Sequence, residues 1–171
     1  LEVNDDIFVL NSFSKYFGMT GWRLGWLIAP EAAVAELEKL AQNLYICAPH
    51  MAQRAALAAF TEQTREICEA RREAFRQRRD FLLPALRELG MHIPHVPEGA
   101  FYLYADSSGV ADDSAALCRH LIETRHLAIT PGLDFGEHRT RQHLRFAYTT
   151  GIDRLEQAVE RLRLGLQQYA C

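Results

Sequence analysis

Ser12, Ser14 and Lys15 stand together in Asn11-Ser12-Phe13-Ser14-Lys15, directly after a short apolar run, and Arg23 follows eight residues beyond Lys15. Two hydroxyls and a forked, permanently charged guanidinium are the donors that hold a compact anion such as a phosphate. Fully extended, the Lys15–Arg23 segment would reach roughly 26 Å. It contains Gly18 and Gly21, which permit the chain to double back and turn amine and guanidinium toward one ligand. A lysine partly desolvated beside an arginine loses some preference for its charged form, and becomes able to act as nucleophile and base near neutral pH. This is the profile of a lysine that forms a Schiff base with a carbonyl. Of the 19 basic residues only Lys15 and Lys39 are lysines. Lys39 sits beside Glu36 and Glu38 on a helix whose apolar stripe is Ala33, Leu37, Leu40 and Leu44, so a solvated surface accounts for it. Lys15 has no such setting.

The surrounding pattern says which elements position these groups. Ile7 to Leu10 is a wholly apolar run that fits a strand buried on both faces, as in a parallel sheet. Such a strand needs partners supplied by crossover units, and no initiator Met precedes it; the expectation is a chain that starts partway through a larger fold. Arg23 to Ala29 reads as a second buried strand closed by Pro30, followed by a helix over 31–44. Pro49 suits the first turn of a helix over 49–60, whose alanines fit close packing. Thr61 can cap a helix over 62–89, about 40 Å long at 1.5 Å per residue, kinked at Pro84 and ended by Gly90. Beyond it, 91–95 and 100–105 read as strands, Asp112 or Asp113 caps a helix to about 125, 127–130 and 143–149 read as strands, and Asp153 opens a last helix striped by Leu155, Val159, Leu162 and Leu166. The expected division lies within the long helix, giving an α/β remnant of a large domain at 1–65 and a small α+β domain at 66–171.

Composition narrows the classes of function. With 171 residues, 49% apolar, 24% charged and a formal charge of -3, the chain has neither the bias of a disordered segment nor the positive excess of a nucleic-acid binder. Arg71, Arg72, Arg76, Arg78 and Arg79 interleave with Glu66, Glu69, Glu73 and Asp80 at helical spacing, which reads as a salt-bridged solvated face. No apolar run approaches the roughly 20 residues of a membrane span, so no membrane partner is expected. Cys47, Cys68, Cys118 and Cys171 are far apart with no Cys-x-x-Cys, which points to a reducing, cytoplasmic compartment. On a strand, His92 and His95 would face opposite sides, and no metal is assigned.

The run SFSKYFGMTGWRLGWLIAP at 12–30 resembles the signature of class I/II aminotransferases of the large pyridoxal-phosphate family, in which Ser-x-Ser-Lys is followed eight residues later by Arg. PEGAFYLY at 97–104, ITPGLDFG at 129–136 and HLRFAY at 143–148 are similar to three further blocks of that family, so the resemblance spans nearly the whole chain. It implies an α/β fold, the end of the large three-layer α/β/α domain plus the small α+β domain, and pyridoxal 5'-phosphate as cofactor. Lys15 would form the Schiff base and shuttle a proton at the substrate α-carbon. Ser12 and Arg23 match the phosphate-binding positions, with Ser14 a further candidate, and Arg145 matches the arginine that takes the substrate α-carboxylate as a bidentate pair. The implied reaction moves an amino group from an L-amino acid to a 2-oxo acid, in a homodimer. Family residues that lie ahead of the lysine, such as the Asp on the pyridinium nitrogen, have no counterpart here, so the isolated chain is expected to be inactive. The alternative is an aminotransferase-like effector-binding module of a transcriptional regulator. Without the resemblance, Arg145 could pair with a carboxylate such as Asp134, and core packing is the default for Tyr102, Tyr148, Phe135 and Trp22.

Overall fold

The computed structural model describes Asn4 and residues 6–169. Two compact units make up the chain, one ending at Arg72 and the other beginning at Glu73.

In the first unit, strands β1 (Val9–Ser12) and β2 (Gly25–Ile28) pair antiparallel, from Val9 opposite Ile28 to Ser12 opposite Gly25. This corrects the expectation of a parallel strand buried on both faces: the loop between them doubles back, so the two strands become direct neighbours. Only Val9 of β1 is partly covered, its other three residues being exposed. Gly25 is required by this pairing, because a Cβ there would press on the Asn11 carbonyl. Helix α1 (Glu31–Leu44) starts after Pro30 as expected, and its Lys39 pairs with Glu36 at 2.7 Å. None of its residues is buried. Its apolar side instead borders an open groove of about 420 Å³ with Leu27 and Ala29. Helix α2 (His50–Ala59) buries Ala52, Ala56 and Ala59, and Phe13 and Met19 pack against the last two.

Helix α3 (Glu62–Glu88) begins where the Thr61 hydroxyl accepts the Thr64 N–H at 3.3 Å. It continues through Pro84, which removes one main-chain donor without ending the helix. Gly90 does end it, at φ +88°, with its N–H on the Arg87 carbonyl at 3.0 Å and the Met91 N–H on the Leu86 carbonyl at 3.1 Å. That pair of bonds is a Schellman closure. Arg65, Arg72 and Arg76 each pair with a glutamate three residues earlier at 2.6 to 2.8 Å, as the interleaved charges predict.

The second unit is an antiparallel sheet in the order β3 (Tyr102–Asp106), β5 (His143–Ala147), β4 (Thr130–Pro131), with helices α4 (Ser114–Arg125) and α5 (Ile152–Tyr169). Its core holds Leu86, Leu103, Leu117, Leu121, Leu144 and Leu162, all at most 2% exposed. Two expected strands shrink. Residues 91–95 keep one bridge, His92 with Asp106, because the next rung would need a main-chain N–H that Pro94 lacks. Of 127–130 only Thr130 is in a strand, while Leu127 and Ile129 pack on the core instead. Asp113 caps α4, accepting from the Ala115 and Ala116 N–H groups at 2.9 and 3.1 Å. Cys47 is exposed and Cys68 and Cys118 are buried, all unbridged; Cys171 lies outside the described residues. No described helix is long and apolar enough to cross a membrane.

Candidate active site

The loop from Phe13 to Leu24 continues the strand register, with the Phe13 N–H on the Leu24 carbonyl at 3.1 Å. The Gly18 N–H closes a turn onto the Lys15 carbonyl at 3.0 Å, and the Met19 N–H returns to the Phe13 carbonyl at 3.1 Å. Phe13 and Met19, both buried, anchor the loop on the alanine face of α2. Polar groups then tie the candidates together. The Ser12 Oγ accepts the Ser14 N–H at 3.0 Å, the Thr20 Oγ1 donates to the Ser14 carbonyl at 2.7 Å, and the Arg23 Nη1 donates to the Thr20 carbonyl at 3.0 Å. Arg23 itself is left-handed, φ 50° and ψ 53°, a conformation that costs a non-glycine residue about 1–2 kcal/mol and that clusters at functional sites.

Ser12, Ser14, Lys15 and Arg23 are therefore brought onto one closed loop. Thr20, which links Ser14 to Arg23, was missed by sequence reasoning; a hydroxyl between Gly18 and Gly21 is the only local hint. One expectation is corrected. Lys15 is exposed, so the described residues do not supply its partial desolvation. Among the described residues no carboxylate lies within ion-pair distance of Arg23. A guanidinium with no carboxylate partner among the described residues, on the same loop as two serine hydroxyls and a lysine amine, fits the phosphate and aldehyde of pyridoxal phosphate in donor chemistry.

Arg145 belongs to the second unit. Along β3 and β5 the alternation buries Leu103, Ala105, Leu144 and Phe146 on one face, which leaves Tyr102, Tyr104, His143 and Arg145 on the other. Register places Arg145 between Tyr104 on β3 and Thr130 on β4. Its guanidinium stands over the Phe135 ring at 4.7 Å and the Tyr102 ring at 5.6 Å, and its Nη2 donates to the Thr130 Oγ1 at 3.4 Å. Its buried Nε has no hydrogen-bond partner. The Phe135 ring meets Tyr104 edge-on at 6.1 Å, and Tyr104 stacks on His143 at 4.8 Å. Burial raises the Tyr104 phenol above its ordinary pKa.

The pairing of Arg145 with Asp134 does not form. Nor does the core default hold for Phe135 and Tyr102, which flank the guanidinium; it holds for Tyr148, 1% exposed and edge-on to Phe75. Trp22 is 44% exposed in the short turn before Arg23. Thr130 is a second residue that sequence reasoning missed. A guanidinium set against two rings, with no acidic partner among the described residues, can take an external carboxylate. No group of three or more His, Cys, Asp or Glu among the described residues could hold a metal ion.

Residues 1–162 match the family model of class I and II aminotransferases. The valine–pyruvate aminotransferase of Mycobacterium tuberculosis is 38% identical over 154 residues, covering 90% of this chain and 40% of the relative. Among solved structures, an aminotransferase from Mycobacterium tuberculosis superposes with a TM-score of 0.93 at 36% identity, covering 98% of this chain and 43% of that one. A multiply substituted aspartate aminotransferase of Thermus thermophilus gives 0.83 at 34% identity, covering 92% and 43%. The chain belongs to the class I/II aminotransferases, a family dependent on pyridoxal phosphate, and its α/β fold corresponds to the C-terminal part of theirs. It spans about two fifths of the length of the curated relatives it matches. Relatives named as enzymes favour the enzyme over the effector-binding module.

Proposed function

We propose that this chain carries the cofactor lysine and the carboxylate-binding arginine of an aminotransferase that moves an amino group from an L-amino acid to a 2-oxo acid. The observation that carries the reading is the single hydrogen-bonded loop that holds Ser12, Ser14, Lys15, Thr20 and Arg23 together. When bound, pyridoxal phosphate supplies an aldehyde and a conjugated ring that draws electrons from the substrate α-carbon. The Ser12 and Ser14 hydroxyls and the Arg23 guanidinium bind the phosphate. Lys15 Nζ would be the amine that holds the cofactor aldehyde and, once the substrate amine has displaced it, would be free to take the proton from the substrate α-carbon and deliver it to the cofactor carbon. Arg145 binds the α-carboxylate through two parallel N–H donors, and the rings of Phe135 and Tyr102 restrict how its guanidinium rotates.

The unit ending at Arg72 is the end of the large cofactor-binding domain in this reading, and the unit from Glu73 is the small domain. A homodimer in the cytoplasm is the proposed setting. The unbridged cysteines support the compartment, and the exposed apolar residues of α1 and β1 support burial against further polypeptide. Borohydride reduction of the intact protein with cofactor, followed by peptide mapping, is expected to place the pyridoxyl adduct on Lys15. An adduct on Lys39, or none, would overturn the assignment.

A further inference from the structure

Two residues of the lysine loop, Tyr16 and Gly18, have no part in phosphate or carboxylate binding, yet both meet side chains of α3. Tyr16 Oη donates to Glu69 Oε1 at 2.7 Å across 53 positions of sequence, and Arg72 Nε donates to the other oxygen of the same carboxylate at 2.7 Å. Two residues beyond Glu69, Arg71 lies over Gly18, where an added Cβ would be 2.9 Å from its Nη1. Tyr16 and Gly18 belong to the turn that the Gly18 N–H closes onto the Lys15 carbonyl. The hydroxyl group next along the chain from Lys15 is thus bonded to α3, and the glycine that ends its turn lies against an arginine of the same helix.

We propose that Glu69, acting through Tyr16, is a positioning residue for Lys15: the phenol–carboxylate bond fixes the turn over 15–18 and so the direction in which the amine is presented. The proposal rests on the reading of Lys15 as the cofactor lysine. A short bond from a phenol to an ionised acceptor is of the stronger, charge-assisted kind. Its mark is on both partners: the bond to Glu69 raises the Tyr16 phenol, and the bond to Tyr16, followed by that to Arg72, lowers the Glu69 carboxyl. Arg72 holds the carboxylate in place and Phe17 packs edge-on against the Tyr16 ring at 5.0 Å, so the bond joins two groups that are already restrained.

The test is the rate at which pyridoxal phosphate with cyanoborohydride labels Lys15 in the intact protein, read by peptide mapping against Lys39 as internal standard. Tyr16→Phe and Glu69→Ala are each expected to lower the Lys15-to-Lys39 ratio by about 3- to 10-fold, and the double variant by no more than either single one. Glu69→Gln, whose amide oxygen still accepts the phenol but without the charge, is expected to restore part of the ratio. An unchanged ratio in Tyr16→Phe or Glu69→Ala overturns the latch while leaving Lys15 as the cofactor lysine. Equal loss in Glu69→Ala and Glu69→Gln also overturns it, since the bond would then not be the cause. Absence of label on Lys15 in the unaltered protein overturns the reading of Lys15, and the latch with it.

Discussion

Arg145 holds its charge between two aromatic faces, with its Nε buried and unpartnered. A lysine there keeps the charge but loses the planar fork and the ring stacking. Arg145→Lys is therefore expected to weaken binding of the substrate carboxylate by about 1.5–3 kcal/mol, or ~10- to 100-fold in KM, measured in steady-state kinetics of the intact protein. The cysteines differ by burial in the same way. Desolvation pushes the Cys118 thiol up to about 11, whereas Cys47 is exposed. The thiolate is the reactive form, so a disulfide-exchange reagent at pH 8 is expected to modify Cys47 while Cys118 stays protected until the protein unfolds. Gly18 has φ +67° with Arg71 overhead. Gly18→Ala is expected to cost about 1–2 kcal/mol in a denaturant titration, from the left-handed backbone alone.

Element boundaries follow from caps that are read within a few residues. Asp113 holds the first turn of α4 through two main-chain N–H groups, and these bonds, that from Ala116 first, lower its carboxyl below the ordinary range. A depressed carboxylate stabilises the fold above its unfolded pKa, and that contribution is lost as pH falls through the folded value. Asp113→Ala is expected to lower the Tm at neutral pH, Asp113→Asn to lower it less, and the gap to the unaltered protein to close as acid protonates Asp113; thermal melts over a pH series check this. Where α4 and α5 meet, a Cβ on Gly165 would collide with Leu121 Cδ2 and press on Arg125 Cγ. Gly165→Ala is expected to cost about 1–3 kcal/mol through overpacking. Strands were less legible than helices. Residues 91–95 alternate like a strand, yet Pro94 withholds the donor for the next rung, and the pattern of side chains does not record which hydrogen bonds a partner needs.

At the scale of the molecule, the first unit leaves Leu10, Leu44 and Ile46 at 78%, 75% and 80% exposed, large apolar side chains of the kind that pack against further polypeptide. The matched relatives are more than twice as long as the stretch they share with it. These 171 residues produced alone are expected to self-associate in sedimentation experiments and to give no measurable amino-acid turnover with added cofactor. Determined by sequence alone were the helices with their caps and stops, the family signature around Lys15, and the separation of a cofactor loop from an arginine about 120 residues later. Each depends on neighbours along the chain, where 3.6-residue periodicity, proline and glycine act locally. Only the tertiary structure decided that β1 pairs antiparallel with β2, that Thr20 joins Ser14 to Arg23, that Phe135 and Tyr102 meet Arg145, and that Tyr16 meets Glu69. Except for the Thr20 link, these contacts join positions 10 to 53 residues apart, and such meetings are set by how elements pack rather than by any local preference of the residues that meet.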